Sequence, residues 1–84
     1  MSIGDLVTSP LPRSGTLRAG RGWRAFDVDG ERQIWHYGAH MASVRENYLH
    51  VLLNGAWGSM SDKCGMTKIR NRARIAGLGE VATG

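Results

Sequence analysis

The stretch Trp23-Arg24-Ala25-Phe26-Asp27-Val28-Asp29-Gly30-Glu31-Arg32-Gln33-Ile34-Trp35-His36-Tyr37 decides the fold. The order Trp-Arg-Ala-Phe-Asp-Val suits a strand. Asp29-Gly30 then supplies a two-residue turn, because both positions tolerate positive φ and the resulting twist suits a hairpin. The return strand begins near Arg32. On it Trp35 and Tyr37 are expected on one face, Ile34 and His36 on the other. Aromatic and β-branched residues at this density are what a half-buried strand prefers.

Working outward, Gly38 reads as a bulge or bend, after which Ala39 to Arg45 continues as extended chain. Glu46-Asn47 is the next turn. Tyr48 to Leu53 alternates again, with Leu49, Val51 and Leu53 toward the core and Tyr48, His50 and Leu52 away from it. Asn54-Gly55 closes this strand. Beyond Trp57 the period changes. Ser59 or Ser61 can cap a helix, and Asp62 in the first turn favours the positive end of its dipole. Met66, Ile69, Ala73 and Ala76 fall on one narrow stripe that would lie on the sheet, while Gly65 weakens the first turn and Gly77 stops the helix. Residues 1–22, with Pro10, Pro12, Ser9, Ser14 and Gly15, read as a flexible arm or edge segment, and 78–84 as a fraying tail. The expectation is one α+β domain over 23–77: a small twisted antiparallel sheet of three or four strands with one C-terminal helix packed on a face.

The chain has 84 residues, 42% of them hydrophobic, enough for one small core. Twelve glycines raise the backbone entropy lost on folding, and a homodimer would be a reasonable remedy. Eleven Lys and Arg against seven Asp and Glu give +4, which favours anionic partners. Arg13, Arg18, Arg21 and Arg24 lie in a segment without acids, and Lys63, Lys68, Arg70, Arg72 and Arg74 form a second basic group. A single cysteine, Cys64, excludes an internal disulfide and fits a reducing cytosol. Met1-Ser2-Ile3-Gly4-Asp5 lacks a positive region followed by an apolar one, and the longest purely apolar run, Val51-Leu52-Leu53, is far short of a membrane span. A cytoplasmic protein with no membrane partner is expected.

No catalytic constellation stands out. His36 and His40 have a spacing that binds zinc on a helix, but on a strand it spans roughly 13 Å. No metal and no cofactor are therefore expected. Cys64 lacks the surroundings of a thiol enzyme and reads as a small buried side chain. Asp27, Asp29 and Glu31 serve the turn and keep an edge soluble. Two surfaces remain. The basic helix gathers Lys63, Arg70 and Arg74 on one flank of its apolar stripe and Lys68 and Arg72 on the other, as nucleic-acid contact would require. The aromatics outnumber what one helix can cover, so some should form an exposed patch that marks a protein interface.

The order Trp35-His36-Tyr37-Gly38-Ala39-His40-Met41-Ala42, a short strand, and then Trp57-Gly58-Ser59-Met60-Ser61-Asp62-Lys63 resembles small uncharacterised proteins of bacterial viruses, those of actinobacterial phages above all. The likeness covers roughly residues 23–70. It departs at Ala39, where Thr is usual, at Met41, where Ile is usual, and at Ser61-Asp62, where two small hydroxyl residues are common. The resemblance implies a strand-rich α+β fold and a phage accessory role, with no known active site.

The function expected is therefore binding without catalysis, by an accessory protein that engages and modulates a host macromolecule in the host cytosol, a host protein first. Trp35, Tyr37 and Tyr48 are the anchor candidates, and the Arg and Lys flanks would steer an acidic partner. The alternative is a small nucleic-acid-binding regulator that uses Lys63, Lys68, Arg70, Arg72 and Arg74.

Overall fold

The computed structural model describes residues 1–52 and 58–83. The elements run α1 (Asp5–Thr8), β1 (Thr16–Arg18), β2 (Trp23–Val28), β3 (Glu31–His36), β4 (Ala39–Arg45), β5 (Tyr48–Leu52), α2 (Met60–Ile75) and β6 (Gly79–Thr83). They build one six-stranded sheet in the order β1-β2-β3-β4-β5-β6. Strands β1 to β5 form an antiparallel meander, and α2 crosses over so that β6 returns parallel to β5. The expected antiparallel sheet of three or four strands is thus corrected to six strands in a mixed sheet. Leu53, the Asn54-Gly55 turn and Trp57 lie outside the described residues.

Local chemistry sets the turns. Asp29 and Gly30 take φ of 50° and 83°, and Glu46 and Asn47 take 53° and 67°, so each pair closes a two-residue hairpin with the twist that suits its strands. The β3–β4 connection differs from the sequence expectation. Residues 37 and 38 make a hairpin turn rather than a bulge in a continuous strand, with Tyr37 at φ 53°. The bulge lies further on: Ile34 pairs with Ala42 and Trp35 with His40, which leaves Met41 as the extra residue, fully buried.

Helix α2 begins with a capping box. The Ser59 hydroxyl accepts from the Asp62 amide, and the Asp62 carboxylate accepts from the Ser59 amide. It ends in a Schellman motif, with Leu78 N–H donating to the Ala73 carbonyl, Gly77 N–H to that of Arg74, and Gly77 at φ 82°. Met66, Ile69 and Ala73 are buried as the periodicity requires, whereas Ala76 is exposed at the C-cap.

One sheet face carries the core. Leu17, Ala25, Ile34, Ala42 and Val51 stand side by side across five strands, all buried, with Trp23, Leu49 and α2 packed on them. Residues 1–22, read from sequence as an arm, contribute Leu6, Val7 and Leu17 to this core through α1 and β1. Two arginines hold α1 in place. Arg32 donates to the carbonyls of Leu6 and Ser9, and Arg72 reaches Asp5 at 2.7 Å. Residues 79–83, expected to fray, pair with β5 along their whole length.

Candidate functional site

The helices lie on one face of the sheet, and alternation sends every second strand residue to the other. There, Arg18 of β1, Arg24 of β2, Trp35 of β3 and His40 of β4 stand opposite one another in one cross-strand row. Thr16, Phe26, Gln33, Ser43 and His50 form the next row.

Trp35 is the hub of this face. His40 stacks on it at 4.9 Å with the rings 2° from parallel, and Phe26 lies 6.3 Å away at 22°. The Arg24 guanidinium carbon sits 5.5 Å from the Trp35 ring centre and 5.9 Å from that of Phe26, within cation–π range. Arg24 and His40 thus reach the indole from the two strands that flank β3. A chain of polar contacts locks the ensemble: Trp35 Nε1–H donates to Gln33 Oε1 at 3.1 Å, and Gln33 donates to Glu31 at 3.0 Å. His40 Nε2 lies 2.9 Å from the Ser43 hydroxyl and 3.1 Å from the Ala42 carbonyl. Trp35 is therefore held in one orientation, with Arg24 and His40 laid against its ring.

The other two anchor candidates lie elsewhere. Tyr37 sits in the β3–β4 turn, 65% exposed, its ring laid across Gly22 and tilted against His36 at 4.7 Å. It does not share the strand face of Trp35. Tyr48 lies at the opposite end of β4, paired with Arg45, 48% exposed and resting on Gly79. The three do not form one patch.

The basic helix is partly neutralised. Arg70 makes a two-pronged pair with Glu80, both contacts at 2.9 Å, which raises its pKa further. Arg72 is tied to Asp5, and this bond holds the Asp5 carboxyl at about 2. Arg74 donates to Asn71 at 3.1 Å. Lys63 and Lys68 are exposed and make no ion pair among the described residues.

Sequence reasoning places none of Arg18, Arg24, Phe26 and His40 at this site: it weighs His40 only as a metal ligand and the two arginines only as part of a basic segment. The signal was present in part: the acid-free run of arginines. Among the described residues no carboxylate pairs with Arg18, Arg21 or Arg24.

One further polar cluster is buried beneath the core face. His36 Nδ1 lies 2.5 Å from Asp62, its Nε2 lies 3.0 Å from the Arg21 carbonyl, and its ring stacks on Trp23 at 4.3 Å. The bond from His36 holds the Asp62 carboxyl below its ordinary range, against the opposing pull of burial and with help from Ser59. Because Trp35 and Tyr37 flank it in sequence, His36 is the hinge between the two faces: it points inward to the helix cap while His40, across the turn, points outward. Cys64, expected to be buried, is exposed on α2. Among the described residues no group of three His, Cys, Asp or Glu side chains is placed to hold a metal ion. No described helix is long and apolar enough to cross a membrane.

No protein-family model matches the chain, and no curated protein or solved structure matches it.

Proposed function

We propose that this chain is a non-catalytic binding protein whose helix-free sheet face engages and modulates another macromolecule, a protein in preference to a nucleic acid. On the likeness to phage proteins, the partner belongs to the host cytosol. The observation that carries the preference is the covered indole of Trp35. A base-stacking platform needs open ring faces, since stacking on them is what holds single strands. Here Arg24 lies over the indole and His40 stacks parallel to it, so the ring is already engaged within the fold. A fixed tryptophan beside an arginine is instead the make-up of a protein hot spot, where a preordered side chain loses little entropy on binding.

The test is retention of partners from bacterial lysate on immobilised protein, with and without nuclease, for the native chain and Trp35→Ala. A protein held after nuclease and lost with Trp35→Ala, while circular dichroism shows the variant folded, supports the reading. Loss of every partner on nuclease treatment refutes it and returns the basic helix to first place.

A further inference from the structure

Arg18 and Arg24 stand directly opposite each other on neighbouring strands. Like charges so placed destabilise a sheet. Nothing among the described residues offsets them with a carboxylate. Together with Tyr37, Ala19, Gly22 and Trp23 they line an open concavity of about 350 Å³ at the end of the aromatic row. Arg24 and Tyr37 are held in position. The Arg24 guanidinium is laid over Phe26 and Trp35 and also lines the concavity. The Tyr37 ring lies across Gly22, where a Cβ would come within 2.3 Å of it, and the Tyr37 amide donates to the Gly22 carbonyl at 2.9 Å.

We propose that this concavity is a subsite for a phosphate monoester dianion carried on a side chain of the partner protein. Two guanidinium groups present two positive charges and planar forks of N–H donors, and the exposed phenol adds an O–H. One carboxylate would need only one of the two arginines. A dianion with three acceptor oxygens matches both charges and all three donor groups. It would also remove the repulsion that the unliganded sheet carries. The assignment rests on reading this face as a binding surface, but its test needs no partner, so either can fail without the other.

The experiment is an amide NMR titration at constant ionic strength with inorganic phosphate, an acetylated phosphoserine peptide, diethyl phosphate and a 5′-phosphorylated oligothymidylate. Saturable shifts confined to residues 18–24 and 37 are expected for phosphate and the phosphopeptide, with diethyl phosphate weaker. Arg18→Thr should weaken phosphopeptide binding about tenfold, the loss of one charge-assisted bond pair, and should move the urea midpoint up rather than down, because a repulsion has gone. Shifts spread equally over Lys63, Lys68 and Arg74, or no response to Arg18→Thr, would overturn the site. Equal affinity for diethyl phosphate would overturn the monoester assignment. Tighter binding of the oligonucleotide than of the phosphopeptide would overturn the protein source.

Discussion

Replacing Gly65 by alanine separates two opposed expectations. Taken alone, a glycine inside a sixteen-residue helix should be improved by alanine, by about 1 kcal/mol of helix propensity. The packing says the reverse. A Cβ at Gly65 would stand 2.0 Å from Trp23 Cζ2 and 2.5 Å from Cε2. Carbon atoms pack at about 3.5–4.0 Å, so helix or indole must retreat by about 1.5 Å. Neither has room. Trp23 is 1% exposed and stacked on His36 with the rings 7° from parallel, while His36 is held by Asp62, three residues before Gly65 on the same helix. Overpacking costs about 1–3 kcal/mol in well-filled cores, and this displacement lies toward the upper end. The net expectation for Gly65→Ala is a loss of about 2 kcal/mol, read from urea unfolding as a lower midpoint at unchanged slope. Trp23→Phe carries a ring too short to reach as far, and in that background the same substitution should cost much less. A midpoint raised by Gly65→Ala in the native background would refute the reasoning, because propensity would then have outweighed the contact.

Two further outcomes follow from the buried pair and the acid-sensitive carboxylates. Asp62→Asn keeps the shape of the cap but leaves His36 without its carboxylate, and should cost about 3 kcal/mol in the same unfolding assay. Stability should also fall with acid: both Asp5 and Asp62 have folded pKa values below the unfolded one, so their contribution is present above about pH 4 and is lost as pH drops through the folded values, about 2 for Asp5. Urea midpoints followed from pH 6 to pH 2 should decline over that window, more shallowly in Asp62→Asn.

What the sequence made legible was local. Asp29-Gly30 and Glu46-Asn47 announce their turns by residue type, Ser59 and Asp62 announce the helix cap, and Met66, Ile69 and Ala73 announce the buried stripe. What escaped depends on contacts between distant segments. Tyr37 is no turn-forming residue, and it tolerates φ 53° where its ring can lie on Gly22, fifteen residues earlier. The strand Gly79-Glu80-Val81-Ala82-Thr83 is short and weakly alternating, and it forms because the crossover through α2 returns it beside β5, with Arg70 bonded to Glu80. The first turn of helix at Asp5–Thr8 is too short to stand alone and depends on Arg32 and Arg72. The same holds for the candidate site. Alternation alone places Trp35 away from the core, yet its setting between Arg24 and His40 follows from the bulge at Met41, which resets the register of β4.

That bulge links the two faces of the sheet. Without it, alternation along β4 would set Ala42 and His40 on the same face, as residues two apart must be in an unbroken strand. Both are two apart, and both retain their partners, Ile34 on the core side and Trp35 on the outer side, only because Met41 is inserted between them. Met41 fills the core with its own side chain while shifting His40 outward onto the indole. A residue that closes the interior therefore also completes the ring stack on the exterior. The stability of the fold and the rigidity of the proposed binding face rest on one irregularity, whereas the arginines at the rim of that face contribute repulsion to the folded state and find their use only in a partner.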